Sequence, residues 1–212
     1  MNRDTLNKLK PFIYGKMLGD ATIERTAKPT HNSRFRVKQK ADHKEYVEQC
    51  WRKMHNHSCQ IYLSGSRREH KGITKTHYAW VFKSKAHPVW NELRSQWYAE
   101  DGTKIFPTDL KEHFTAELLA YWFMDDGYTS PDYQRFIATQ SFSEEQVDFL
   151  VQLINDKFDL SAVKVKERLD SKGILRFVIR FSGKDNLVKF RLLVQDYIPE
   201  CLQYKTRTPW SV

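Results

Sequence analysis

The stretch LLAYWFMDDG, residues 118–127, places seven uncharged residues directly before two adjacent carboxylates. A segment that is apolar on all sides predicts a helix buried in the core, here over residues 116–124. Asp125 and Asp126 then stand at the C-terminal end of that helix, where the negative end of the macrodipole makes a carboxylate cost about 0.3–1 kcal/mol. Gly127 follows, which predicts a left-handed cap. The two acids therefore need a counter-charge.

The composition predicts a packed protein with a polyanionic partner. The chain has 212 residues, enough for one large domain or two small ones, and 40% of them are hydrophobic. Lys and Arg number 35 against 26 Asp and Glu, which gives a net charge of +9. The basic residues are spread over segments 33–40, 64–75 and 163–180, as suits a long surface facing a nucleic acid backbone. The alternative is a protein that is merely basic.

Cysteine usage and hydropathy bear on the compartment. Three cysteines make an odd count without framework spacing, which favours a reducing compartment. No apolar run approaches the roughly 20 residues of a membrane helix, and the N-terminal segment lacks the apolar core of a signal peptide. We expect an intracellular protein with no membrane partner, in an organelle (mitochondrion or chloroplast) or a bacterial cytoplasm.

The chain repeats itself once. IYGKMLGDA at 13–21 corresponds to LAYWFMDDG at 119–127, so that Asp20 and Asp126 are 106 residues apart. RFRVKQ at 34–39 corresponds to RFIATQ at 135–140, and Lys104 corresponds to Lys205, both at an offset of 101 residues. Helical and strand-like patterns follow in the same order in each copy. The sequence predicts an α+β fold of two αββαββα halves, residues 1–106 and 107–212.

The two acid-ended helices suggest a metal site. Gly15 and Gly19 lie on one face of the first helix, a spacing that lets two helix backbones approach closely. Symmetric packing of the helices would bring Asp20 and Asp126 together, and Mg²⁺ binds through one or two carboxylates plus waters and phosphate oxygens. Helix-end groups of Gly19 and Asp125 are further candidate ligands. The alternative is that solvated acids simply end a helix.

A second candidate metal cluster is weaker. Cys50, His55, His57 and Cys59 lie within ten residues, as zinc ligands can. Their spacing matches no common zinc finger, and Cys50 falls on the inward face of a helical pattern. Core cysteines and helix-end histidines are the favoured interpretation.

The motifs resemble those of the LAGLIDADG homing endonucleases, in the monomeric branch with two motif copies. The resemblance is carried by LAYWFMDDG at 119–127, ATQSFSEEQVDFLVQLINDKF at 138–158, YGKMLGDATI at 14–23 and YIPECLQYKTR at 197–207. It covers residues 5–207. Two departures mark the halves as non-equivalent: Gly19 precedes the first acid where Asp125 precedes the second, and Tyr121 stands where the first motif has Gly15.

The resemblance implies a fold and a set of site residues. It implies saddle-shaped antiparallel sheets in the DNA major groove and an interface formed by the motif helices. Asp20 and Asp126 would bind the catalytic Mg²⁺, for which Mn²⁺ could substitute. Gln39 and Gln140 would lie near the metal-bound water, and Lys104 and Lys205 would line the active site. As alternatives, the glutamines only end strands and the lysines only position phosphates.

Basic residues that alternate with apolar ones are the candidate DNA contacts. Alternation places their side chains on one face of a sheet. The candidates are Arg34, Arg36, Lys38, Lys40, Lys164, Lys166 and Arg168, with Arg135, Arg176 and Arg180 joining them. Two half-sites about one helical turn apart predict a footprint on the order of 20 base pairs. Two different halves predict a non-palindromic target.

The predicted function is site-specific cleavage of both strands of a DNA duplex by a monomer that needs no protein partner. One alternative is an RNA maturase that helps its host intron to splice, with intron RNA as partner. Another is a non-catalytic DNA-binding regulator on the same fold. An unrelated basic phosphohydrolase that uses the DDG acids is a third, which the internal repeat disfavours.

Overall fold

The computed structural model describes residues 1–25, 31–70, 73–169 and 173–210, with the backbone alone at Arg68, His70, Ile73 and Arg168. The chain divides into two compact units. The first contains Met1–Lys10 and Asp20–Pro107, and the second contains Pro11–Gly19 and Thr108–Val212. The C-terminal half of the first helix thus counts with the second unit.

The elements of the first half follow the predicted order. They are α1 (Arg3–Leu18), β1 (Thr22–Glu24), β2 (Arg34–Lys40), α2 (Lys44–Met54), β3 (Tyr62–His70), β4 (Ile73–Lys83) and α3 (Pro88–Trp97). Short 3-10 turns at Ala41–His43 and His55–His57 flank α2. His87 caps α3, since its ring nitrogen accepts the N–H of Val89 at 3.2 Å, and Pro88 fits the first helical turn.

The second half repeats the plan after a short helix. Its elements are α4 (Leu110–His113), α5 (Ala116–Asp126), β5 (Gly127–Thr129), β6 (Arg135–Ala138), α6 (Glu144–Phe158), β7 (Ala162–Leu169), β8 (Leu175–Phe181) and α7 (Lys184–Val194), followed by 3-10 turns at Gln195–Tyr197 and Glu200–Lys205. Ser143 and Gln146 form a capping box that fixes the start of α6.

Each half carries one four-stranded antiparallel sheet. The strand order is β1-β2-β4-β3 in the first and β5-β6-β8-β7 in the second. The same order in both sheets confirms the α+β fold class and the duplicated αββαββα plan.

Strand register shows a slip between the halves that the sequence repeat does not show. Thr22 pairs with Arg36 in the first sheet, and Tyr128 pairs with Phe136 in the second. Because Thr22 and Tyr128 each follow their motif acid by two residues, Arg36 corresponds to Phe136, an offset of 100 residues instead of 101. A one-residue slip moves a side chain to the other face of a sheet.

Helix α5 is buried as predicted. Every residue from Leu118 to Met124 exposes at most 2% of its surface. Thr115 caps its start, because the hydroxyl accepts the N–H of Leu118 at 3.3 Å. The predicted left-handed cap at Gly127 is wrong: φ is −79° and ψ is 144°, and Gly127 begins β5. Glycine is needed there because a Cβ would lie 2.3 Å from the carbonyl oxygen of Phe123.

Within the described ranges, no helix is long and apolar enough to cross a membrane.

Candidate active site

The C-terminal part of α1 packs closely against α5 within the second unit. A Cβ on Gly15 would lie 2.4 Å from the Leu118 carbonyl oxygen, and one on Gly19 would lie 2.5 Å from the Asp125 Cβ. Only glycine permits these approaches, so the predicted role of the two glycines is confirmed. Phe12 meets Tyr121 edge-on at 4.8 Å between ring centroids, which seats the bulky side chain of the second motif.

A buried ion pair joins the two motif helices. Nζ of Lys16 lies 2.5 Å from Oδ1 of Asp125, and neither side chain exposes any surface. This pair answers the need for a counter-charge at one of the two adjacent acids. The Asp125 carboxylate is therefore engaged by Lys16, and the Asp125 backbone carbonyl lies 3.5 Å from Nζ of Lys205. The sequence analysis did not single out Lys16.

Asp20 lies in the first unit, two residues beyond the end of α1, and is exposed. The side-chain amide of Gln39 donates to Oδ2 of Asp20 at 2.8 Å. Gln39 lies near the end of β2, on the same face of the strand as the buried Phe35 and Val37. The structure thus brings together the first predicted acid and the first predicted glutamine, which can fix the carboxylate or a water beside it.

Asp126 is the last residue of α5 and is half-buried. Lys205 supports the same helix end: the side chain is buried and Nζ donates to the Met124 carbonyl at 2.7 Å. A lysine there satisfies an orphan carbonyl and opposes the negative end of the helix dipole. The Lys205 carbonyl in turn accepts the Thr129 hydroxyl at 2.8 Å, so Lys205 is held at both ends.

The other predicted residues of the repeat are less symmetric. Lys104 is half-buried and forms a backbone bridge with Tyr98 at the end of the first unit. Gln140 follows the end of β6, and its amide donates to Glu167 at 2.7 Å. By strand register the counterpart of Gln39 is Thr139, which is fully buried and donates to the Phe177 carbonyl at 2.7 Å. The predicted equivalence of Gln39 and Gln140 is therefore wrong by one residue.

The first sheet presents a basic face. Phe35 and Val37 are fully buried, and Phe35 stacks on Trp90 of α3, which defines the helix-side face of the sheet. The alternate residues of β2 form the opposite face, called here the open face. The predicted residues on it are Arg34, Arg36, Lys38 and Lys40. Their shared face is confirmed.

Strand β4 adds a cation to this face. Lys83 pairs in register with Arg36, and both contact Glu24, at 3.0 and 2.5 Å. Partial burial acts to raise the pKa of Glu24, but the hydrogen bonds from Lys83 and Arg36 outweigh it and lower the pKa. The sequence analysis did not single out Lys83, which follows the continuous apolar run of residues 78–82.

The second sheet turns two of its predicted basic residues away. Arg135 lies on the helix-side face of β6 with Ile137 and exposes 2% of its surface. Its guanidinium donates to the Tyr133 and Arg207 carbonyls, both at 2.5 Å. Burial, and secondarily the charge of Arg191, lowers the pKa of Arg135 to about 10, so it remains charged at neutral pH. Arg135 is a structural cation, and the prediction that it contacts DNA is wrong.

Lys164 is held by α6. Its Nζ lies 2.6 Å from Glu144 and 2.7 Å from Asp148, and these hydrogen bonds raise its pKa. Lys164 and Lys166 share one face of β7 as predicted, but strand register places that face on the helix side, opposite the buried Ile179 and Phe177. Their contact with DNA stays a prediction. The side chain of Arg168 lies outside the described residues. Arg180 pairs with Phe136 on the open face, and Arg176 has the same parity on β8.

No cluster of three or more His, Cys, Asp or Glu side chains within the described ranges is arranged to hold a metal ion. In the CWRKMHNHSC segment, Cys50 is buried on α2 and Cys59 is exposed. The His55 ring lies 2.9 Å from the Arg52 carbonyl oxygen. Asp20 in the first unit and Asp126 in the second each carry a carboxylate at a motif end, which is the kind of hard oxygen ligand that Mg²⁺ binds.

Comparison with known proteins decides the family. A model of the LAGLIDADG DNA endonuclease family matches residues 10–188, which include the C-terminal part of α1, the whole of α5 and both sheets. The chain belongs to the LAGLIDADG DNA endonuclease family. The resemblance carried by the two motifs is confirmed, and the family is one of DNA-cleaving hydrolases.

The relatives of this chain include both endonucleases and maturases. It is 27% identical to probable intron-encoded endonuclease 1 of Wickerhamomyces canadensis, over 95% of the chain and 85% of the relative. It is 24% identical to cytochrome b mRNA maturase bI2 of Debaryomyces hansenii, over 95% of the chain and 77% of the relative. Among solved structures it resembles the homing endonuclease I-WcaI bound to its DNA recognition sequence, with a TM-score of 0.76, 25% identity and coverage of 95% and 86% of the two chains.

Proposed function

We propose that this chain is a site-specific homing endonuclease that hydrolyses phosphodiester bonds on both strands of a long, non-palindromic DNA duplex. The observation that carries the proposal is the duplicated plan in which an acid at or two residues past the end of a motif helix leads into a four-stranded antiparallel sheet. Two antiparallel strands of such a sheet fit the major groove. Two copies provide one acid for each strand of a duplex.

The cofactor in this proposal is Mg²⁺, with Mn²⁺ able to replace it. Asp20 and Asp126 are the proposed ligands, with the backbone carbonyls of Gly19 and Asp125 as further oxygen donors. When bound, such an ion lowers the pKa of a water molecule and stabilises charge on the attacking and leaving oxygens. The donor set supports this because hard oxygen ligands suit Mg²⁺, and DNA phosphates and waters complete its shell.

The remaining proposed roles follow from the contacts. Gln39, already bonded to Asp20, orients the carboxylate and a neighbouring water. Lys205 holds the end of α5 and thereby places Asp126, while Lys104 contributes positive charge near the scissile phosphate. Hydrolysis breaks one P–O bond of each strand, adds the elements of water, and leaves one hydroxyl end and one phosphate end.

The basic open face of the first sheet supports DNA as the partner. Phosphate contacts from its Arg and Lys side chains would supply affinity that falls with salt, and Arg can read guanine in the major groove. We propose a monomer with a footprint on the order of 20 base pairs. Its place in an organelle or a bacterial cytoplasm stays a prediction.

A target search tests the proposal. Purified protein is incubated with genomic DNA that lacks its own reading frame, in Mg²⁺, and new ends are sequenced. We expect one double-strand break that EDTA abolishes and Mn²⁺ supports. Asp20→Asn and Asp126→Asn should each lower the cleavage rate by on the order of a thousandfold, since the metal supplies several kcal/mol. Asp156→Asn, an exposed acid on α6, is the matched control and should cleave normally.

Maturase activity is the second candidate function, and the similarity to a cytochrome b mRNA maturase favours it. The same preparation is tested for binding to intron RNA. Tight RNA binding with no new DNA ends above background would replace the endonuclease proposal by the maturase one.

A further inference from the structure

Two aromatic rings lie side by side on the open face of the second sheet. Tyr128 of β5 and Phe136 of β6 pair in register, and their rings stack with centroids 5.1 Å apart and an interplanar angle of 8°. Tyr128 exposes 41% of its surface. Phe136 is half-buried beneath this neighbour, so the stacked pair offers one exposed ring and part of a second to a ligand.

The rest of this face mixes apolar residues with charged ones: Arg176 and Arg180 lie on it, and the negative charge of Glu167 adds to burial in raising the pKa of Tyr128. Phe136 pairs with Arg180, and Arg180 pairs with Val163, so these residues continue the row that starts at Tyr128. The next row holds Ala138, Val178 and Val165. Nε of Arg180 has no hydrogen-bond partner among the described residues. The face therefore combines an apolar strip with a cation beside it.

The first sheet holds different chemistry in the corresponding row. Thr22, Arg36 and Lys83 occupy the places of Tyr128, Phe136 and Arg180. The two cations share Glu24. In this row the open face of the first sheet is suited to bind phosphates and guanine edges. The open face of the second sheet is suited to contact an apolar group.

The apolar group that the major groove displays is the C5-methyl of thymine. We infer that the second sheet recognises thymine methyl groups through Tyr128 and Phe136, so that one half-site of the target is read mainly by apolar contact and the other mainly by charge. The inference rests on the proposed endonuclease function and adds the base chemistry that the second half selects.

Replacing thymine by deoxyuridine tests the inference, because this removes the methyl group and leaves charge and pairing unchanged. Two versions of the identified target are made, each with every thymine of one half-site replaced, and dissociation constants are measured. We expect one half-site to respond, with affinity falling about fourfold for each methyl that the rings cover. Replacement in the other half-site should leave affinity unchanged.

Paired variants assign the response to the second sheet. Tyr128→Ser/Phe136→Ser should bind thymine and deoxyuridine targets equally well. Thr22→Ser/Arg36→Ser, the matched change in the first sheet, should bind more weakly but keep the discrimination. Circular dichroism melting curves show that each variant is folded.

Other results would overturn the inference. Equal indifference of both half-sites to the methyl group, or discrimination that survives in Tyr128→Ser/Phe136→Ser, would do so while leaving endonuclease activity in place. Self-association that this variant abolishes, without methyl discrimination, would assign the rings to contact between copies of the chain. A protein that binds and cuts no duplex at all would overturn the proposed function and the inference together.

Discussion

The open faces of the two sheets differ in charge although their strands pair in the same order. The predicted cations of the first face are all in place on β2, and Lys83 adds another. In the second sheet Arg135, Lys164 and Lys166 lie on the helix side, where Arg135 is buried and Lys164 is paired with α6. Duplication of a fold therefore preserves topology while each copy acquires its own surface chemistry.

The motif helices show the same divergence. The first contributes Gly15, Lys16 and Gly19, and the second contributes Tyr121 and Asp125 at the contact. Gly15 and Gly19 on the first helix leave room for Tyr121 and Asp125 on the second. The contact is therefore asymmetric, and the ion pair between Lys16 and Asp125 crosses it. The difference shows that complementarity, rather than identity of the two copies, stabilises this contact.

The largest predicted effect comes from breaking the helix pair at Lys16. Lys16→Met leaves the Asp125 carboxylate buried without its partner, and we expect the free energy of unfolding to fall by about 3–5 kcal/mol. Urea denaturation measures this. The double variant Lys16→Met/Asp125→Leu should recover most of the loss, because apolar replacement of both partners is close to neutral. A single variant as stable as the parent would show that the pair does not stabilise the contact.

The second effect separates the two glutamines. Gln39→Leu removes the amide that bonds to Asp20, and we expect cleavage to slow by about 10- to 100-fold, as for other partners of metal ligands. Gln140→Leu, whose amide contacts Glu167 instead, should cleave at the parent rate. Single-turnover cleavage at saturating protein compares them. Equal losses of cleavage rate in both variants would show that the register slip does not make the two glutamines functionally different.

The third effect tests the buried cation of the second sheet. Arg135→Met leaves two carbonyls without donors, and we expect a loss of about 1–3 kcal/mol in the free energy of unfolding. Arg34→Met, at the position that the sequence repeat aligns with Arg135, should unfold like the parent and bind DNA more weakly. If Arg135→Met kept its stability and lost DNA affinity instead, the assignment of the two residues would be reversed.

The smallest effect is on the salt dependence of binding. Lys38→Ala should reduce the slope of log affinity against log salt by about 1, the value for one lost phosphate contact. Lys164→Ala should leave the slope unchanged, because its ammonium is already bound by Glu144 and Asp148. Binding titrations at four salt concentrations measure both slopes. A lower slope in Lys164→Ala would show that Lys164 contacts a DNA phosphate.

The element pattern was predictable because it depends on local periodicity. Alternation of basic and apolar residues predicts strands such as β7 and β8, and the apolar run before Asp125 predicts the buried helix α5. The position of the acids at helix ends was predictable for the same reason. The conformation of Gly127 could not be predicted from the sequence. A left-handed cap requires glycine, and so does an extended residue crowded by the Phe123 carbonyl, so the residue type does not distinguish the two.

The sequence by itself determined the duplicated plan, an acid at or just past the end of each motif helix, and the small-residue face formed by Gly15 and Gly19. These depend on residue type and spacing along one element. Only the tertiary structure decided which face each side chain occupies and which charge pairs with which. Cross-strand register sets the face of Arg135, and helix packing sets the partner of Lys16. Both depend on residues distant in the chain, which no local pattern specifies.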